Sequence, residues 1–156
     1  MTLVPVEAEK KIDEIIARYP VRRSALLPVL WVVQRHVGYL PDEALAWVAD
    51  KLGLTFMDVA TTVSFYTMFT RRPLGRYHIQ VCTNVSCLLG GCEEIEAHLK
   101  KKLGIGFGET TPDGRFTLSE VECIGACSWA PAMQINFDFH HHLTPEKVDR
   151  ILDALP

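Results

Sequence analysis

The sequence predicts an α/β protein in which a helical bundle precedes a small layer of helices packed on a sheet. Apolar residues recur at helical spacing through about the first seventy positions. After residues 71–75 the pattern changes to alternating, β-rich runs separated by single helices. A chain of 156 residues has room for two small domains. We therefore predict a helical bundle over 1–74 and a sheet domain over 75–156.

The first two predicted helices follow from the spacing of their apolar residues. Ile12 and Ile15 follow a charged segment at helical spacing, and Pro20 ends that helix. The second helix covers 23–37 and leaves no polar face, so we expect it to be central or covered by a partner. Pro28 is compatible with this helix only if it lies near the first turn.

Two further helices are predicted from their end signals. Pro41 opens the third helix, and Gly53 ends it in a left-handed conformation. Thr55 and Asp58 have the spacing of a capping box, which places the start of a fourth helix there. Four short helices with tight connections indicate an antiparallel bundle.

The second half alternates strands and helices. The turn at residues 112–114 introduces one strand, and the Thr144-Pro145 pair is typical of a helix N-terminus. We expect strands at 77–82, 116–123 and 133–139, and helices at 93–102 and from Pro145 onwards.

Composition excludes several classes of protein. Lys and Arg total 16 against 19 Asp and Glu, a net charge of −3, so the charge balance gives no reason to expect a nucleic-acid partner. The longest apolar run covers residues 25–33, which is too short to span a bilayer. Acidic residues appear before any signal-peptide core could form, so we expect a cytoplasmic location. Five cysteines, an odd number, favour thiolate chemistry over a disulfide framework.

Four of the cysteines form two spaced pairs. Four residues separate Cys82 from Cys87, and three separate Cys123 from Cys127. Each pair begins near the end of a predicted strand and continues into a loop. Strand ends at one edge of a sheet bring such loops together, and thiolates are the ligands that iron–sulfur clusters require. We therefore expect the four sulfurs to converge on a [2Fe–2S] cluster, with Gly90, Gly91 and Gly125 letting backbone N–H groups approach them.

Spacing alone leaves other uses of these cysteines open. Structural zinc sites use pairs separated by two to four residues, which includes both gaps. A thioredoxin-type dithiol requires C-x-x-C, which is absent from the sequence. The C-x₂-C-x₂-C-x₃-C-P run of [4Fe–4S] proteins and the C-x₄-C-x₂-C spacing of plant-type ferredoxins are also absent.

The segments VCTNVSC at 81–87 and ECIGACSWAP at 122–131 resemble the two cluster motifs of thioredoxin-like [2Fe–2S] ferredoxins. More narrowly, they resemble the small iron–sulfur subunit of the NADH dehydrogenase module of respiratory complex I. The upstream segments VSFYTMF at 63–69 and GRY at 75–77 resemble the helical extension of those subunits. The resemblance covers nearly the whole chain, from about Tyr19 to Leu155.

This resemblance implies a thioredoxin-like domain with a small mixed sheet after the bundle. It implies one [2Fe–2S] cluster on Cys82, Cys87, Cys123 and Cys127, and a permanent partner, the larger flavoprotein subunit that binds FMN and NADH. The chain would then exchange electrons with FMN in NADH:quinone oxidoreductase, peripheral on the inner face of the membrane. The alternative is the equivalent subunit of an NAD-dependent formate dehydrogenase or of an NAD-linked or electron-bifurcating hydrogenase, and a structural zinc module is a more remote alternative.

Four other features bear on the site. Cys92 stands where the family usually has a small non-cysteine residue. We expect a buried side chain in the first turn of a helix rather than a spare ligand or a redox-sensitive thiol. The histidines at 140–142 are expected to form a solvated hairpin turn rather than a metal site. Trp129 either shields the cluster or packs ordinarily. Pro131 is the candidate for the cis-proline of thioredoxin folds.

Overall fold

A computed structural model describes residues 3–156 and divides the chain into two compact units. The first unit ends at Pro73, and the second spans Leu74–Pro156. Each unit has its own buried apolar core. The predicted order, a helical bundle followed by a mixed sheet with helices, is confirmed. Within residues 3–156, none of the helices has the length and apolar character needed to cross a membrane.

The described residues of the first unit form four α-helices. They are α1 (Val6–Ala17), α2 (Leu26–Val37), α3 (Asp42–Leu52) and α4 (Phe56–Phe65), with a 3-10 turn at Arg22–Ala25 before α2. The second helix, predicted to be central because it lacks a polar face, contributes five buried residues to the core, as many as α3 does. Its buried residues are Leu26, Val29, Leu30, Val32 and Val33.

Local end signals define these helices as expected. Pro28 lies in the first turn of α2, where its missing N–H has no helical partner to lose. Gly53 ends α3 with φ of 67°, a left-handed conformation that glycine adopts without strain. Thr55 and Asp58 form the predicted capping box at α4, in which each side chain bonds the other residue's backbone N–H.

The second unit is a five-stranded mixed sheet with three helices. Its strands are β1 (Tyr77–Cys82), β2 (Glu109–Thr110), β3 (Phe116–Val121), β4 (Met133–Ile135) and β5 (Asp138–His140). Its helices are α5 (Val85–Leu89), α6 (Cys92–Leu103) and α7 (Pro145–Asp153). The strand order is β2-β3-β1-β4-β5. Only β1 and β3 run parallel, and the register pairs Tyr77 with Phe116 and Cys82 with Val121.

The prediction of one strand over 133–139 is wrong, because the chain forms the β4–β5 hairpin there. Asn136 turns the chain with φ of 54°. Its side-chain oxygen accepts the N–H of His78 at 2.9 Å, and its amide nitrogen donates to the carbonyl of Arg76 at 3.2 Å. These bonds to β1 and to the residue before it stabilise the left-handed conformation of Asn136. The alternation of apolar and polar residues in the sequence does not reveal this turn.

Two other boundaries differ from the predictions. The strand expected over 116–123 ends at Val121, so Cys123 lies outside it. Residues 85–89, expected as loop, form helix α5 and place Cys87 on that helix. Asn84 caps this helix, and its side-chain oxygen accepts the N–H of Val85 at 2.7 Å. The sequence signal that indicates this helix is an Asn cap before a short apolar run and Gly90-Gly91.

Candidate metal centre

The parallel pairing of β1 and β3 places both cysteine segments at one edge of the sheet. Parallel strands end at the same edge, so the residues that follow β1 and β3 are neighbours. The N–H of Thr83 donates to the carbonyl of Val121 at 3.2 Å. The Cys82 sulfur lies 3.9 Å from the carbonyl oxygen of Glu122, the residue before Cys123. The predicted convergence of the two loops is therefore present in the backbone.

Cys82 and Cys87 form the buried side of this site. Cys82 is 3% exposed and ends β1, and Cys87 is 2% exposed on α5. The two thiols are close enough to share a hydrogen bond. The N–H of Cys82 donates to the carbonyl of Ala132 at 3.2 Å, which ties this side to the segment that precedes β4.

Burial affects the protonation of Cys87 and Cys92. It raises the pKa of Cys87 to about 11, because the thiolate loses solvation, and the hydrogen bond with Cys82 acts in the same direction. A backbone hydrogen bond from Ala132 opposes the shift. Burial also raises the pKa of Cys92. At neutral pH Cys87 is therefore a neutral thiol, and a metal that binds it must displace its proton.

Cys123 and Cys127 form the exposed side. Both are solvent-exposed, in the irregular segment after β3 and at the start of a 3-10 turn, Cys127–Trp129. The N–H of Gly125 donates to the Cys123 sulfur at 3.3 Å, and Gly125 adopts φ of 74° to make this bond. A backbone N–H directed at a sulfur stabilises negative charge there, as iron–sulfur sites require. This confirms the role expected for Gly125.

The N–H groups of the other two glycines donate to backbone carbonyls. The N–H of Gly90 donates to the carbonyl of Ser86 at 3.0 Å, and that of Gly91 donates to the carbonyl of Leu88 at 3.1 Å. Both bonds close the end of α5, a helix that the expected loop over 85–89 does not contain. Gly90 and Gly91 therefore donate their own N–H groups to carbonyls of α5, and the expectation that they let other backbone N–H groups approach the sulfurs stays a prediction.

The two cysteine segments contact each other, but their four sulfur atoms are not gathered into one group. Cys82, Cys87 and Cys92 share one small buried cluster with Ala126 and Ala132. Ala126 belongs to the second cysteine segment, so the two segments meet through it. In the part of the chain that the structure describes, all five cysteines are free thiols, and no three His, Cys, Asp or Glu side chains form a metal-binding group. In a [2Fe–2S] cluster each iron binds two of the four cysteines. The structure is therefore best compared with such a site one cysteine pair at a time.

The remaining sequence expectations have mixed outcomes. Cys92 is 1% exposed in the first turn of α6, which confirms a buried side chain. The bond between Ala130 and Pro131 is cis, as predicted. The histidine run is not a hairpin turn: His140 ends β5, and the other two lie exposed before α7 because the hairpin closes earlier, at Asn136.

Trp129 is half-exposed and contacts the histidine run. Its indole ring lies 6.0 Å from the ring of His141, and its carbonyl accepts the N–H of His142 at 2.9 Å.

The sequence did not predict the role of Ala132, whose backbone forms hydrogen bonds with both Cys82 and Cys87. An alanine side chain carries no signal for such a role, because only its backbone takes part.

Residues 12–156 match the family model of the thioredoxin-like [2Fe–2S] ferredoxins. The chain belongs to this family. The resemblance drawn from the two cysteine motifs is thereby confirmed, and so are the thioredoxin-like fold and the [2Fe–2S] cluster as the cofactor of the family. The donor set of this ferredoxin suits that cluster, because its free thiols are soft ligands and Gly125 already directs an N–H at one of them.

Relatives of this ferredoxin are named as subunits of NADH-quinone oxidoreductase. The chain is 48% identical over 145 residues to one of that enzyme's subunits in Rhizobium meliloti (strain 1021), covering 93% of this chain and 86% of that protein. It is 46% identical over 153 residues to one in Mycobacterium bovis (strain ATCC BAA-935 / AF2122/97), covering 98% of this chain and 60% of that protein.

A solved structure extends the comparison to a second enzyme. The chain is similar to part of an NAD⁺-reducing [NiFe]-hydrogenase in its H₂-reduced state, with a TM-score of 0.73 and 27% identity. The match covers 84% of this chain and 22% of the hydrogenase chain. The fold of this ferredoxin is thus found within a longer polypeptide as well.

Proposed function

We propose that this ferredoxin is the electron-transfer subunit of an NADH-quinone oxidoreductase and holds one [2Fe–2S] cluster on Cys82, Cys87, Cys123 and Cys127. The observation that carries the proposal is the shared sheet edge. Parallel pairing of β1 with β3 brings two cysteine segments together although 35 residues separate them along the chain. The names of the relatives support the choice of enzyme.

In this proposal the buried and the exposed cysteine pairs hold the cluster in different ways. Cys82 and Cys87 provide a dry pair of ligands held by backbone bonds to Ala132. Cys123 and Cys127 provide the second pair at the surface, where Gly125 stabilises the charge on one sulfur. When bound, the cluster supplies one-electron transfer, and the protein supplies ligation, burial and hydrogen bonds that tune its potential.

We propose the larger FMN- and NADH-binding flavoprotein subunit as the permanent partner. Hydride transfer from NADH belongs to that flavoprotein, and electrons pass between its FMN and the cluster of this chain. In this assignment the chain lies at the inner face of the membrane through the complex. The support is the narrower resemblance of the motifs and the relatives named as parts of NADH-quinone oxidoreductase.

The second candidate is the corresponding subunit or domain of an NAD-linked hydrogenase. The likeness to the NAD⁺-reducing [NiFe]-hydrogenase favours it. An NAD-dependent formate dehydrogenase is related to both by the family resemblance. Affinity purification of the tagged chain from its native cells separates the three. Subunits of a quinone-linked enzyme are expected, whereas hydrogenase or formate dehydrogenase subunits would overturn that choice.

The cluster itself is tested on the full-length chain. After anaerobic purification or reconstitution we expect a brown protein with two irons and two sulfides per chain. Dithionite reduction is expected to produce the electron paramagnetic resonance (EPR) signal of a one-electron-reduced cluster. A colourless protein that holds one zinc instead would contradict the proposal and favour a structural zinc module.

A further inference from the structure

Gly90 lies at the end of α5 in a conformation that does not require glycine. Its φ of −81° and ψ of −1° are right-handed helical values that any L-residue adopts. A reason for glycine at this position must therefore come from its surroundings. The neighbouring Gly91 is different, because its φ of 90° is left-handed and favours glycine by itself.

The surroundings of Gly90 are tighter than a side chain ordinarily accepts. A Cβ atom there would lie 3.1 Å from the backbone nitrogen of Pro131, 3.2 Å from the Cβ of Ala130 and 3.2 Å from the carbonyl oxygen of Ser86. Ordinary contacts of a Cβ begin at 3.4 Å. Two of the three atoms belong to the backbone, so no side-chain rotation relieves the crowding. At Gly91 no atom lies within 4 Å of the added Cβ.

The two surfaces that meet at Gly90 each carry proposed ligands. Cys87 lies three residues before Gly90 on α5, and Ala130 lies three residues after Cys127, at the end of the 3-10 turn. The next residues are Pro131 and Ala132, and the backbone of Ala132 forms hydrogen bonds with Cys82 and Cys87. The close approach at Gly90 is therefore a contact between the first cysteine segment and the chain that follows the second one.

We propose that Gly90 is a positioning residue that sets the spacing between the Cys87 helix and the Ala130–Pro131 segment, and through it the ligand geometry of the cluster. This inference rests on the proposed function. A side chain at Gly90 moves α5 away from Pro131 by a few tenths of an ångström, and Cys87 moves with the helix. The N–H of Ala132 then loses its alignment with the Cys87 sulfur.

The test compares Gly90→Ala with Gly91→Ala in the full-length chain reconstituted with iron and sulfide. Gly90→Ala introduces crowding without backbone strain, and Gly91→Ala introduces strain without crowding. We expect Gly90→Ala to lose iron to a chelator about tenfold faster than the wild type, at the lower end of the 10–100-fold affinity loss typical of residues that orient metal ligands. We also expect altered g-values in its reduced EPR spectrum, and wild-type g-values in Gly91→Ala.

A double variant checks the cause. Ala130→Gly removes one of the three crowding atoms, so Gly90→Ala combined with Ala130→Gly should release iron at a rate closer to that of the wild type. Wild-type g-values and release rate in Gly90→Ala, or the same changes in both single variants, would overturn the inference. If the metal-free Gly90→Ala chain failed to fold, the role of Gly90 would be purely structural, and the inference would also be overturned. A wild-type chain without a cluster would instead overturn the proposed function.

Discussion

The two cysteine segments leave the same edge of one sheet and continue into different surroundings. After β1 the chain turns at once into α5, and Cys82 at the end of β1 and Cys87 on α5 are both almost fully buried. After β3 it continues as an irregular segment, and Cys123 and Cys127 remain exposed. Both segments have a cysteine pair of similar spacing, so the spacing does not determine burial. The element that follows each strand does.

This difference has a consequence for the order of assembly. The buried pair is held by regular structure and by bonds to Ala132. In the exposed segment, among the described residues, the hydrogen bond from the N–H of Gly125 is the contact that orders a cysteine sulfur, that of Cys123. We therefore expect the buried side to be preformed and the exposed side to become ordered when the cluster binds. Four predictions test this contrast, in decreasing order of magnitude.

Loss of any one of the four proposed ligands should remove the cluster. We expect Cys82→Ala, Cys87→Ala, Cys123→Ala and Cys127→Ala each to leave iron and sulfide near background, because the four thiolates act as one ligand set. Metal analysis and visible absorption after reconstitution measure this. If either exposed-side variant kept a full cluster, the equivalence of the two sides as ligands would be wrong.

Alkylation of the metal-free chain should distinguish the two sides by at least about tenfold in rate, because thiolate character and access control cysteine reactivity. Iodoacetamide is expected to modify Cys123 and Cys127 first, as mass spectrometry of peptides can show. The raised pKa of Cys87 keeps its thiol protonated, so its reactivity should continue to increase with pH up to about 11. Equal rates at all four positions would mean that the metal-free chain lacks the buried pair.

Gly125→Ala should weaken the exposed side specifically. An L-residue in the left-handed conformation costs about 1–2 kcal/mol, and relief of that strain would misdirect the N–H away from the Cys123 sulfur. Gly114→Ala is the matched control, since Gly114 has φ of 69° and equally open space but no sulfur contact. Both variants should lose similar thermal stability, and only Gly125→Ala should release iron faster. Faster release from both would indicate a general effect of instability.

Cys92→Ser should have the smallest effect on the cluster. Cys92 is buried beside the first pair but is not among the proposed ligands, so the visible and EPR spectra should stay unchanged. A hydroxyl in that apolar position is expected to lower the free energy of unfolding by about 1–3 kcal/mol. Urea denaturation of the metal-free chain measures this cost. Loss of the cluster would instead make Cys92 a ligand.

Much of the fold is predictable because its signals are local. The capping box of Thr55 and Asp58, the Thr144-Pro145 helix start and the glycine at the end of α3 each act within four residues of their own position. The single strand expected over 133–139 is wrong because the bonds that hold Asn136 come from Arg76 and His78, about sixty residues away. No pattern within 133–139 contains that information.

The candidate site divides in the same way. The four thiols, their pairing along the chain and the family to which they belong can be read from the amino-acid order, because residue types and short spacings are written in it. Three-dimensional packing was needed to show which pair is buried, which glycine reaches a sulfur and where Gly90 touches Pro131. These depend on which strands pair and how closely two backbones approach, and both are set by contacts between distant segments.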